Sequence, residues 1–141
     1  MVRGVFRPQE YTLAGRKHYI MTKKLIADIS TKQGIFVQHN NAELQDLGGG
    51  LTRRVLAWND QLMAAEVGNE AGAVGELHRH PHTQCSYVLS GRFKYTVEGE
   101  TVELGQGDSV VVPGGVLHGT ECIEAGTLLD VFTPARQDFL K

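Results

Sequence analysis

Cysteine is scarce in these 141 residues: only Cys85 and Cys122 occur. Two cysteines make no disulfide framework and form no CxxC pair, so a reducing, cytoplasmic setting is expected, with both thiols acting as small buried apolar groups. No apolar run approaches the ~20 residues of a membrane span. The N-terminus lacks an apolar segment of signal-peptide length. Neither a membrane role nor secretion is expected. A positive excess is missing too. The formal net charge is −2, and it hides an asymmetry. Residues 1–24 carry six basic side chains (Arg3, Arg7, Arg16, Lys17, Lys23, Lys24) against Glu10, which leaves 8 basic and 15 acidic groups in the remainder. An acidic body excludes nucleic acid as the expected partner of the main domain.

Glycine, by contrast, is abundant: 17 residues, about 12% against the usual ~7%. The length suits one domain with one core. Residues 1–33 read as an N-terminal extension and 34–141 as the domain. Two readings of the extension stay open: a leader over 1–20 preceding a natural start at Met21, or a strand-forming or disordered arm. From Gly34 onward, short apolar runs alternate with turn signals. "IFVQ" (35–38), "TRRVLAW" (52–58), "QLMAAEV" (61–67), "AVGELHRH" (73–80), "CSYVLSG" (85–91), "RFKYTV" (92–97), "TVEL" (101–104), "SVVVP" (109–113) and "TLLDVFT" (127–133) read as strands. "AELQDL" could make one helical turn at most. Many short strands without intervening helices predict an all-β sandwich or barrel.

The segment "ELHRHPHTQ" spaces His78, His80, His82 and Gln84 by two. Alternate residues of a strand share a face, but Pro81 disturbs the ladder. His78 and His80 are therefore expected to point together, whereas parity alone does not place His82 and Gln84. Two neighbouring imidazoles suit a divalent metal such as Zn, Ni, Cu or Fe(II). A further histidine, His118, follows in "GDSVVVPGGVLHG". Near the C-terminus, "LLDVFTPARQDFL" puts Asp130 on one strand face with Leu128 and Phe132. An unpaired carboxylate in apolar surroundings is costly. It is either a structural or rim charge, or an acid whose pKa burial raises into a range useful for proton transfer. Arg136 is a surface cation, or it reaches over the barrel mouth to clamp a carboxylate.

Gly72, His78, His80, Gly91, Gly107, Pro113, Gly115 and His118 match the spacing of the two cupin motifs, and the chain resembles that family. It departs at Gln84, where glutamate is usual, and at Cys122, where asparagine is usual. The resemblance implies a small jelly-roll β-barrel, with a divalent transition metal (Ni, Zn, Fe or Mn) held by His78, His80, Gln84 and His118. A neutral amide in place of glutamate leaves the site near +2. That strengthens the ion as a Lewis acid and suits oxygen-activating iron less well. His82 is expected in a supporting position.

The H-x-H-P-H-x-Q string and the D-V-F-T-P-x-R-x-D-F-L tail are similar to those of the KdgF-type pectin degradation proteins, over roughly residues 34–140. This implies that Asp130, Phe132 and Arg136 line an active site beside the metal. The implied small-molecule substrate is a 4,5-unsaturated uronate from pectin or alginate, converted to a linear 5-keto-4-deoxyuronate. The alternatives are a sugar-binding or sensor cupin and an iron-dependent cupin dioxygenase. A homodimer is expected as the commonest symmetric form.

Overall fold

Two long strands organise the chain. The computed structural model describes residues 10–13, 16–19 and 34–141. β1 (Glu10–Leu13) and β2 (Arg16–Tyr19) pair antiparallel within the N-terminal extension; a start at Met21 lies outside the described residues. The remaining strands are β3 (Gln45–Gly48), β4 (Leu51–Asn59), β5 (Leu62–Asn69), β6 (Val74–His78), β7 (Thr83–Val97), β8 (Glu100–Gly105), β9 (Ser109–Val112) and β10 (His118–Thr133). Short 3₁₀ turns cover His39–Asn41 and Gln137–Leu140. Every pairing is antiparallel, as expected for an all-β domain.

β7 and β10 pair with each other along nearly their whole length. Their Thr83–Ser90 and Thr127–Thr133 halves continue into β9 on one side and into β5, β4 and β3 on the other. Their other halves pair with β8 and β6. Both strands are irregular at the junction. Ladder shifts fall between Cys122 and Leu128 of β10, opposite Gly91 of β7. Gly91 has φ +83° and lies against the backbone of Glu124, Ala125 and Gly126, so only a residue without a Cβ fits there. Before Gly91 the inward residues of β7 are Gln84, Ser86 and Val88; after it they are Phe93 and Tyr95. The bulge exchanges even for odd parity.

The core forms two apolar clusters. One gathers Ala73, Val88, Phe93, Val112, Cys122 and Leu128 with the Tyr95 ring. The other gathers Met63, Ala65, Phe132 and Ala135, with Val55, Trp58 and Phe139 packed on it. The buried polar groups His80, Gln84, Ser86, His118 and Asp130 accompany them.

Several local expectations need correction. Ile35–Gln38 is not a strand. Ile35 and Val37 keep the alternating burial, but the edge of β4 is occupied by β3, and among the described residues the Trp58 N–H to Gly34 O bond is the one backbone bond between β4 and the start of this segment. "AELQDL" contributes its second half to β3, because Gly48, Gly49 and Gly50 all take positive φ and let the chain reverse into β4. The last strand begins at His118, nine residues before the expected Thr127. Cys85 is exposed rather than buried, since its neighbours Gln84 and Ser86 hold the inward positions. Among the described residues no helix is long and apolar enough to cross a membrane.

Candidate metal centre and active site

His78 closes β6 and His118 opens β10, directly opposite it in the register. His80 follows in the turn between β6 and β7. Two contacts fix that turn: the Gly115 N–H donates to His80 O at 2.8 Å, and Gly114 lies against the Pro81 backbone so closely that a Cβ would strike the Pro81 carbonyl. The Pro113–Val116 segment thus sets His80 relative to His118. The ring centroids lie 4.4 Å apart for His78 and His118, 4.7 Å for His80 and His118, and 5.4 Å for His78 and His80. One ligand atom from each of the three falls within 4.8 Å of the others.

Backbone carbonyls decide the tautomers. His78 Nδ1 donates to Glu76 O (2.8 Å), His80 Nδ1 to His82 O (3.0 Å) and His118 Nδ1 to Val116 O (2.8 Å). A carbonyl only accepts, so each Nδ1 carries the proton and each Nε2 presents a lone pair. His118 Nε2 is buried and has no hydrogen-bond partner among the described residues. His80 Nε2 faces Gln84 Oε1 at 3.0 Å, an acceptor against an acceptor. Burial, the largest cause, holds the His80 and His118 pKa values below the ordinary imidazole range, with Arg136 adding in the same direction, so protonation does not relieve that opposition. A cation would. Three neutral imidazoles oriented by their Nδ1–H bonds, with an amide oxygen beside them, fit a divalent transition metal.

The amide end of Gln84 is held as well. Its Nε2 donates to Tyr95 OH (3.2 Å) and Ser86 Oγ (3.0 Å). Tyr95 OH and Ser86 Oγ are 3.0 Å apart, and Ser86 Oγ donates to Asp130 Oδ1 at 2.5 Å. The network therefore runs from the histidine cluster to one carboxyl. Burial raises the Asp130 carboxyl to about 6, although hydrogen bonds from Ser86 and Gln84 and the Arg136 charge pull it down. Burial, followed by the Asp130 charge, raises the Tyr95 phenol too.

These groups surround a cavity of about 240 Å³. Six of the seven expected site residues line it: His78, Gln84, His118, Asp130, Phe132 and Arg136. The seventh, His80, stands against it, its ring 5.9 Å from that of Phe132. His82 is not part of the lining; its Nδ1 is buried without a hydrogen-bond partner among the described residues. Arg136 binds Asp138 in a bidentate pair (Nε to Oδ1 3.0 Å, Nη2 to Oδ2 2.8 Å), and its guanidinium lies 5.2 Å from the Phe132 ring centre.

The structure adds Arg53, Asn69, Tyr95 and Phe139 to the cavity wall, and Ser86 to the carboxyl behind it. Ser86 continues the two-residue spacing from Gln84 and was open to detection on that ground. Tyr95 lies beyond the parity change at Gly91. Arg53 sits in the polar pair Arg53–Arg54, of which only Arg53 lines this cavity.

Residues 66–132 match the cupin domain family. The pectin degradation protein KdgF of Dickeya dadantii (strain 3937) is 39% identical over 98 residues, which cover 68% of this chain and 89% of that protein. Among solved structures, KdgF from Halomonas sp. superposes with a TM-score of 0.71 at 36% identity, covering 74% of this chain and 98% of that one. An RmlC-like cupin from Shewanella frigidimarina NCIMB 400 gives a TM-score of 0.72 at 44% identity, over 74% of this chain and 94% of the other. With the motif histidines gathered at one cavity and the likeness running over nearly all of the Dickeya dadantii protein, the chain belongs to the KdgF-type pectin degradation family of cupins.

Proposed function

We propose that this protein is a metal-dependent isomerase-type enzyme. It opens the ring of a 4,5-unsaturated uronate from pectin or alginate and tautomerises it to the linear 5-keto-4-deoxyuronate. The observation that carries this reading is Asp130: a buried carboxyl with a raised pKa, in the wall of the histidine cavity, tied through Ser86 and Tyr95 to Gln84.

Ring opening removes the proton of the C1 hydroxyl, forms the C1 carbonyl and breaks the bond from C1 to the ring oxygen. The electron pair passes to that oxygen, which becomes the enol oxygen at C5. C4 then gains a proton and C5 becomes the ketone. Substrate and product are isomers, so one residue that accepts and returns a proton suffices. Asp130 fills that role with the oxygen that Ser86 does not engage. A carboxyl near pH 6 reaches both protonation states close to neutrality. Phe132 supplies a flat apolar wall for the sugar ring. Arg136 places positive charge at the carboxylate end of the substrate. His78, His80 and His118, with Gln84, would hold a divalent ion (Ni, Zn, Fe or Mn). When bound, that ion supplies fixed positive charge for the oxyanion that develops during opening. The same reading takes the protein as a cytoplasmic homodimer.

The test is incubation with lyase-generated unsaturated galacturonate. Loss of the conjugated double-bond absorbance and appearance of the keto product by NMR are expected. Asp130→Asn should lose at least ~10²-fold in rate, the low end for removing a general acid–base group. Tight binding without turnover would favour a sensor, and substrate-dependent oxygen uptake a dioxygenase. Near-wild-type turnover by Asp130→Asn would remove Asp130 from the mechanism.

A further inference from the structure

Arg53 comes from the inner side of β4, away from both cupin motifs, yet it lines the same cavity as Asp130 and the histidines. Its Nε donates to Gln45 Oε1 at 2.9 Å, which ties β3 to β4 and orients the guanidinium. Its Cζ stacks 3.7 Å from the centre of the Phe139 ring. Arg136 stacks on the same ring at 4.3 Å. Two guanidiniums thus share one aromatic platform at one end of the cavity.

They differ in what they have left to offer. The Nε and Nη2 edge of Arg136 is filled by both oxygens of Asp138. Among the described residues, the two Nη groups of Arg53 meet no hydrogen-bond acceptor. Arg53 feels the charges of both Asp138 and Arg136, and among the described residues Asp138 is the carboxylate bonded directly to this arginine pair, through Arg136 alone. The Arg53 Nη edge is thus left to take a carboxylate, which a guanidinium fork matches in a bidentate way.

We propose that Arg53 recognises the carboxylate of the substrate through its Nη edge, with Phe139 as the platform that orients it. Arg136, held by Asp138, contributes charge rather than the fork. Arg53 is therefore the residue that makes the site selective for an acid over a neutral sugar. This rests on the uronate reading above.

Steady-state kinetics on the metal-loaded enzyme, with the unsaturated uronate and its methyl ester, test the assignment. Wild type is expected to prefer the free acid. Arg53→Gln should raise KM for the acid by about 10–100-fold, the loss of one charge-assisted contact, with kcat changed far less and KM for the ester unmoved. Arg53→Lys keeps the charge without the fork and should fall between the two. It also serves where the glutamine variant does not fold. An unchanged KM for the acid in the lysine and glutamine variants would overturn the proposal. So would KM values for acid and ester that rise together, as they would if Arg53 only braced Phe139. If the wild type itself fails to act on the acid, the uronate reading falls first and takes this one with it.

Discussion

Asp130 is costly to keep where it is. Its folded carboxyl titrates near 6 against 3.8 for an ordinary aspartate, chiefly because it is buried. The folded chain therefore binds this proton more tightly than the unfolded chain does. The stabilisation is complete below about pH 4, where both forms are protonated, and is lost as pH rises through 6. Above that, the buried anion weakens the fold by roughly 3 kcal/mol relative to its protonated form. Asp130→Asn keeps the shape and an acceptor for Ser86 but never ionises. In metal-stripped protein, thermal melts should show this variant several degrees more stable than wild type at pH 8, with the gap closing toward pH 4. A gap of constant size across that range would mean that Asp130 is not desolvated as described. The burial that suits Asp130 to the proposed proton transfer thus weakens the fold at neutral pH.

At the level of elements, the site depends on how the turn after β6 meets the turn before β10. Gly114 is where they touch. Gly114→Ala forces the Pro81 backbone away and moves His80 off the line of His78 and His118. The expected result is a β-rich protein with a lower melting temperature and markedly less bound metal after dialysis against a weak chelator, measured by elemental analysis. Retention of full metal at wild-type stability would show that the turn adapts without cost. This contact also explains what was legible beforehand. Gly72, Gly91, Gly107 and Gly115 of the motif all take φ between +82° and +91°, so their spacing marks real turns, and His78, His80 and His118 could be read from it. Asp130 was legible as a charge in an apolar strand. Arg53, Tyr95 and Phe139 were not, because their inward placement depends on the Gly91 bulge, on the pairing of β3 with β4 and on the packing of the C-terminal turn. None of these appears as a local period. Ile35–Gln38 misled for a related reason: alternating burial was present, but the edge it needed was already taken.

At the scale of the whole molecule, one sheet carries an apolar row on its outer face. Val111, Cys85, Val131 and Ala64 stand side by side across β9, β7, β10 and β5. Val111 is 60% exposed and neighbouring Tyr87 42%. Exposed apolar faces of this kind mark association surfaces, and the proposed homodimer places a second copy there by two-fold symmetry. Val111→Arg should convert the dimer to a folded monomer in light scattering. A wild-type monomer at micromolar concentration, or a variant that stays dimeric, would remove this face from consideration.

That face and the cavity are two sides of the same few residues. Gln84, Ser86 and Val88 look inward, and Cys85, Tyr87 and Leu89 look outward. Substitutions can alter either side separately. A single inserted or deleted residue between Pro81 and Gly91 cannot, since it would exchange the two sets at once. At Gly91 the inward parity of β7 does change, and it changes where ladder shifts in β10 face it. Length changes in relatives of this chain should therefore collect in the loops around Gly49 and Gly99, while the eight residues from Thr83 to Ser90 vary in kind but not in number.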